Sequence, residues 1–175
     1  SISKTLSHKF KKEKSIILLI GKTFGHLEQS SYLKENYSII QGNPPEINLA
    51  NEKNNGDAVL NLINKKYILS AHDISDGGVI LSLCEMSFGS EFGVKVSMPN
   101  KLRNINEYFF GEDQGRYILE IDPLNFSTVE KILKNSNIYF ENIGITQQKY
   151  FEIEGEMKTD LNVLYNANNK WYNNF

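Results

Sequence analysis

The sequence predicts an α+β domain, a mixed β-sheet layered with helices, and three observations carry that expectation. Ile16-Ile17-Leu18-Leu19-Ile20 is an unbroken apolar run, the pattern of a strand covered on both faces. Phe92 to Met98 alternates with period two, as a half-buried strand does. Between such runs, apolar residues recur at helical spacing, as with Val79, Leu83 and Met86. Some strands follow one another directly and others across helices, so the sheet is expected to be mixed.

Taken in order, a lead-in over residues 1–13 carries the basic cluster His8-Lys9-Phe10-Lys11-Lys12-Glu13-Lys14, read as a solvated approach to the first strand. The strand spans Lys14 to Ile20 and ends at Gly21. A polar turn follows, with a short helix over Gln29 to Glu35. Asn43-Pro44-Pro45 breaks the chain. A helix from Asn48 to Lys66 places Val59, Leu62 and Ile63 on one face, with Asn54-Asn55-Gly56 weakening its early part. Lys66-Tyr67-Ile68-Leu69 carries its end into a short apolar strand. Ser70 to Gly78 then reads as a turn, and Gly78 to Met86 as a helix closed by Phe88-Gly89. The strand from Phe92 ends at Pro99. Asn104 to Phe110 forms a helical turn, Gly111 to Gly115 a polar loop, and Arg116 to Ile121 a strand. Pro123 to Lys134 is helical, with Phe126, Val129, Ile132 and Leu133 facing in. Two strands, Ile138 to Thr146 and Tyr150 to Ile153, precede a last helix from Asp160, which sets Leu161, Leu164 and Tyr165 on one face with Trp171 and Tyr172 beyond. The sum is five or six strands and four helices in a single domain over 1–175.

Composition narrows the function classes. A hydrophobic content of 40% supports an ordinary core, and no apolar run approaches membrane-span length. A net charge of -2 supplies no basic field for nucleic acid. Cys84 is the one cysteine and lies on an apolar helix face, which excludes an internal disulfide and fits a reducing, cytosolic setting. It reads as a small buried hydrophobe. The start of the chain lacks the charged and apolar regions of a secretory signal. Opening at Ser1, in mid-phrase, it reads as part of something longer.

Three polar, glycine-containing stretches can carry chemistry: Gly21 to Ser31, His72 to Gly78, and Gly111 to Arg116. Each sits at the edge of a predicted strand, where ligands bind in sheet domains. In the second, a strand is handed to a helix through Asp73, Asp76, Gly77 and Gly78. Such glycines let backbone approach a ligand closely, and a helix N-terminus aims free N–H groups at it. Two carboxylates beside a phosphate repel it unless a divalent cation lies between or they contact sugar hydroxyls. Equally open is Asp76 as the helix cap, with the glycines serving only the turn. In the third stretch, Glu112 and Asp113 suit Mg²⁺ or ribose hydroxyls, and Gln114 and Arg116 suit a phosphate or amide. The alternative is a surface loop in which Arg116 pairs with Glu112 or Asp113. The histidines His8, His26 and His72 lack metal spacing, Cys84 has no evident base, and no Walker-type phosphate loop occurs. The residues support a nucleotide- or phosphoribosyl-binding module and show no catalyst.

Taken together, Leu19-Ile20-Gly21-Lys22-Thr23 with Gly25-His26-Leu27, Gln29-Ser30 and Tyr32-Leu33, then His72-Asp73-Ile74-Ser75-Asp76-Gly77-Gly78, then Phe110-Gly111-Glu112-Asp113-Gln114-Gly115-Arg116, are far more specific than any one stretch. In this order they closely resemble the C-terminal domain of the large subunit of phosphoribosylformylglycinamidine synthases, a domain type shared with aminoimidazole ribonucleotide (AIR) synthetases. The resemblance runs from about Lys9 to the final helix and implies an AIR synthase C-terminal-like fold. It implies ATP-dependent conversion of an amide to an amidine in purine biosynthesis: ATP activates the amide oxygen of formylglycinamide ribonucleotide as a phosphate ester, and ammonia displaces phosphate. Implied partners are the missing amino-terminal part of the same chain, a glutaminase subunit that supplies the ammonia, a small bridging subunit and the phosphoribosyl substrate. ATP and Mg²⁺ are implied mainly outside this stretch, as is the catalytic histidine, so no catalytic residue is expected here. The wording of residues 72–78 resembles the second of two internal copies of the domain. By that likeness Asp73, Asp76, Gly77, Gly78, Glu112, Asp113, Gln114 and Arg116 are the candidate nucleotide- or substrate-binding residues, with the Gly111 to Arg116 loop expected either to line an auxiliary nucleotide site or only to support the fold. Asp113 stands where serine is common, and Glu28 where glycine is usual.

Two other readings stay beside it. Thiamine-monophosphate kinases share an Asp-x-Ser-Asp-Gly turn and a Gly-Glu-Asp loop, but Gly78 and Gln114 here occupy places where those enzymes usually have leucine and tyrosine. The third is a stand-alone binding or scaffold module with no catalysis.

Overall fold

A computed structural model describes residues 5–98, 104–170 and 172. Seven strands form one sheet: β1 (Ile16–Ile20), β2 (Ser70–Asp73), β3 (Phe92–Val96), β4 (Tyr117–Ile121), β5 (Phe140–Gln148), β6 (Tyr150–Ile153) and β7 (Met157–Asp160). Six helices accompany them: α1 (Ser31–Tyr37), α2 (Leu49–Asn64), α3 (Gly78–Ser87), α4 (Ile105–Phe110), α5 (Phe126–Asn135) and α6 (Leu161–Asn169). The strand order is β2-β4-β1-β5-β3-β6-β7. Every pairing is antiparallel except β3 with β6, so the sheet is mixed as expected.

The apolar run in β1 is covered on both faces. Ile17 and Leu19 join Val79, Leu83 and Met86 of α3 and Phe109 of α4 in one core. Leu18 and Ile20, pointing the other way, join Val59 and Leu62 of α2 and Val129 and Leu133 of α5 in a second. The strand's two-residue period thus distributes one apolar run between two helix layers.

Several boundaries differ from expectation for a shared reason. The first strand begins two residues late because Lys14 turns the chain at φ 60°. The first short helix begins at Ser31, since Gln29 sits at φ 60° and the Ser30 side chain accepts the Leu33 N–H as N-cap. Lys66 at φ 58° delays β2 to Ser70, so Ser70 to Asp73, expected in a turn, is strand. Asn137 at φ 53° likewise delays β5. None of these is glycine, so each carries the steric cost of the left-handed region without advertising it. Asn54-Asn55-Gly56 lies inside an unbroken α2, and β7 was not expected. Pro99 and Trp171 lie outside the described residues. Among the described residues no helix is long and apolar enough to cross a membrane.

The basic lead-in is anchored by a buried acid rather than merely solvated. Glu120 on β4 is fully buried, and its carboxylate accepts from the backbone N–H of Lys11 at 2.9 Å, of Lys12 at 3.0 Å, and from the Ser70 hydroxyl at 2.7 Å. Glu120→Ala leaves those donors without an acceptor, and hydrogen bonds to a charged group contribute about 1.5–3 kcal/mol each. We expect the Glu120→Ala chain to melt roughly 10 °C lower by calorimetry; a melting temperature within about 2 °C of the parent contradicts the anchoring role.

Candidate functional site

Register gathers the three polar stretches at one end of the sheet. Ile20 on β1 and Asp73 on β2 both stand opposite Tyr117 on β4. The residues that follow Ile20, follow Asp73 and precede Tyr117 therefore emerge side by side. The Gly111–Arg116 loop occupies the middle of this end.

Its carboxylates are spent on backbone. Asp113 Oδ2 accepts from the N–H groups of Phe24 and Gly25, each at 2.9 Å, and Oδ1 from His26 at 3.2 Å. Glu112 Oε1 accepts from Ser31 N–H at the start of α1, at 2.9 Å, and from Gly77 N–H at the start of α3, at 2.7 Å. Arg116 lies beneath them, 1% exposed. Its guanidinium donates to Gly111 O at 2.6 Å, Thr23 Oγ1 at 3.1 Å and Asp113 O at 3.2 Å, with Nη1 3.8 Å from the Asp113 carboxylate. Burial pulls the guanidinium pKa below its ordinary value, and the Asp113 carboxylate opposes that pull. The loop thus binds all three stretches into one unit.

Glycine is required where that unit is tightest. Gly77 (φ 78°) and Gly78 (φ 69°) both lie in the left-handed region, and a Cβ on Gly78 would stand 2.7 Å from the carbonyl oxygens of Phe109 and Gly111. A Cβ on Gly25 would stand 2.6 Å from Glu107 Cβ. These close approaches are to protein backbone and side chain, where the sequence suggested a ligand. Asp76 does not cap α3: Gly77 is the N-cap and has no side chain to cap it with, and its own N–H donates to Glu112. The helix start therefore meets an internal carboxylate.

Of the eight candidate residues, Asp73, Asp76 and Gln114 keep exposed side chains. They line a groove of about 280 Å³ with Ser75, Glu52 and Tyr117. Burial, then Glu52 and Asp73, raise the Tyr117 pKa above the ordinary phenol value. Gln114 also borders a larger groove of about 1030 Å³, whose walls include Lys22, Asn48, Asn51, Asn55 and Tyr139. Burial and a hydrogen bond to Glu141 push the Tyr139 phenol up to about 12. The asparagine wall was not anticipated, yet residues 48, 51 and 55 recur at i, i+3 and i+7, a helical stripe legible in the sequence. Asn55 ties the stripe to the loop by donating to Gly115 O at 2.9 Å. Both Asp113 oxygens and Glu112 Oε1 accept from backbone donors, and Glu112 also lines the smaller groove. Among the described residues no three His, Cys, Asp or Glu side chains converge to hold a metal.

A two-faced mixed sheet between helix layers, with glycine-bearing loops clasped at one end, defines an α+β domain. The pattern of the family described as AIR synthase related protein, C-terminal domain, matches residues 12–154, and the chain belongs to that family. It is 42% identical, over 94% of its length, to phosphoribosylformylglycinamidine synthase subunit PurL of Pelagibacter ubique, and spans 23% of that relative. PurL of Thermotoga maritima complexed with FGAR superposes with a TM-score of 0.74 at 14% identity, covering 93% of this chain and 30% of that one. The Thermotoga maritima PurLQS structure gives 0.69 at 17%, covering 93% and 28%. At such identities the structures establish the fold. The chain spans less than a quarter of the length of the relative it matches in sequence.

Asp113→Ala strips three backbone N–H groups of their acceptor and is expected to cost about 3 kcal/mol in urea unfolding, whereas Gln114→Ala should stay within about 0.5 kcal/mol. Equal effects of the two substitutions contradict the clasp.

Proposed function

We propose that this chain is the carboxy-terminal domain of a phosphoribosylformylglycinamidine synthase. That enzyme converts formylglycinamide ribonucleotide, ATP and ammonia to formylglycinamidine ribonucleotide, ADP and phosphate. The 42% identity over almost the whole chain carries the proposal, and the three clasped motifs support it. ATP, when bound to the whole enzyme, supplies the phosphoryl group that turns the amide oxygen into a leaving group. Mg²⁺ and the catalytic histidine belong to parts of the polypeptide outside this chain. The partners are those other parts, a glutaminase and a small bridging subunit, and the setting is the cytoplasm; the three-component name of the Thermotoga maritima structure supports the assembly.

Within this domain the eight candidate residues divide by task. Glu112, Asp113 and Arg116 hold the loop, and Gly77 and Gly78 let α3 pack against it. Asp73, Asp76 and Gln114 face the ligand side, where carboxylates suit ribose hydroxyls and the amide suits a phosphate oxygen or a base edge. The ligand there is an auxiliary nucleotide or the phosphoribosyl substrate.

The test is to replace the corresponding carboxy-terminal region of the Pelagibacter ubique relative with this chain and follow ADP release that depends on formylglycinamide ribonucleotide and ammonia. Turnover within about tenfold of the parent is expected, with none from the 175-residue chain alone. A soluble, folded chimaera that never turns over contradicts the proposal. In the active chimaera, Asp76→Asn combined with Gln114→Ala should raise the KM for nucleotide or substrate with the melting temperature unchanged. Unchanged kinetics would remove both residues from ligand contact.

A further inference from the structure

The stretch from residue 34 to residue 51 reverses the usual placement of polar and apolar groups. Every residue in it except Pro45 is exposed. Residues 38–48 contain no strand or helix, and they are held to the domain by polar bonds. Gln29 Nε2 donates to Gly42 O at 2.9 Å, Asn43 N–H donates to Glu28 Oε2 at 2.7 Å, and Asn43 O lies 2.8 Å from His26 Nε2. This explains Glu28 in place of a small residue: its carboxylate latches the strap. The apolar side chains point the other way. Ile40 is 65% exposed, Ile47 61% and Leu49 77%, and Tyr37 adds a fourth. Phe24, 78% exposed, borders the large groove together with Glu46 and Asn48, the strap residues on either side of Ile47.

Isolated exposed apolar residues are ordinary, but a run of them on a strap tied down by polar bonds is the pattern of a surface that is dry in the working protein. By contrast Leu124, another large exposed apolar group, lies singly on its element.

We propose that the 37–49 strap, with Phe24, is the surface on which the rest of a longer polypeptide docks against this domain. The inference rests on the synthase reading. Its occupant follows from length: the matched region is 23% of the Pelagibacter ubique relative, so most of such a polypeptide lies outside this chain and adjoins it covalently. A tethered neighbour acts at high effective concentration and covers an apolar strip without needing a large interface.

Amide hydrogen exchange of the free chain and of the chimaera described above separates the possibilities. Exchange over residues 38–48 is expected to slow at least about tenfold in the chimaera. Phe24→Ser with Ile40→Ser and Leu49→Ser should abolish that protection and lower synthase activity, leaving the melting of the free chain unchanged; Leu124→Ser should do neither. An active chimaera whose strap exchanges as fast as in the free chain overturns the docking inference and leaves the synthase reading intact. An inactive chimaera with a protected strap supports docking and overturns the function. Protection that appears in the free chain as its concentration rises assigns the strap to a second copy and overturns the inference.

Discussion

The loop-bearing end of this sheet depends on a clasp made of one loop's charged side chains. Asp113 and Glu112 together accept five backbone N–H groups, belonging to Phe24, Gly25, His26, Ser31 and Gly77. These donors come from the turn after β1 and from the starts of α1 and α3. Charged acceptors roughly double the strength of such bonds. A buried carboxylate also costs desolvation, and Arg116, buried in turn, lies beneath the loop with its guanidinium near Asp113. The arrangement is self-contained: donors that in an open turn would await an anionic ligand are filled from within. The side chains left open at the rim are those of Asp73, Asp76 and Gln114, beside the amide-lined wall of α2.

Much of the fold was legible because burial writes periodicity into sequence. Ile16 to Ile20 announced a strand between two layers, and Val79, Leu83 and Met86 announced the inner face of α3. What escaped was structure paid for elsewhere. Lys14, Gln29, Lys66 and Asn137 adopt left-handed backbone without being glycine, each moving an element by a few residues. The short β7, with exposed Met157 and Lys158, has no apolar pattern, because its place at the sheet edge comes from pairing with β6. At the site, the three stretches read from the sequence come together in the fold, where Glu112 and Asp113 take backbone N–H groups and Arg116 lies near Asp113, as one of the two readings of that loop had it. Paired acids and glycines suit a ligand or an internal backbone contact equally, and only the long-range pairing of residue 112 with residues 31 and 77 separates the two.

Under the proposed synthase reading, this division suits a domain that supports a reaction performed largely elsewhere. Its internal polar network holds loops in place, and its strap carries exposed apolar side chains. The clasp and the attachment of the strap trace to the same turn. Gly21 to Ser31 supplies four of the five N–H groups that Asp113 and Glu112 accept, and also Glu28 and His26, which hold the strap.

The most direct test of the clasp is amide hydrogen exchange by nuclear magnetic resonance at Phe24, Gly25, His26, Ser31 and Gly77. The account predicts that all five exchange through one shared opening, with a common free energy that Asp113→Ala lowers at every position, including the two that contact only Glu112. Five unrelated opening energies, or loss confined to the three amides on Asp113, would contradict it.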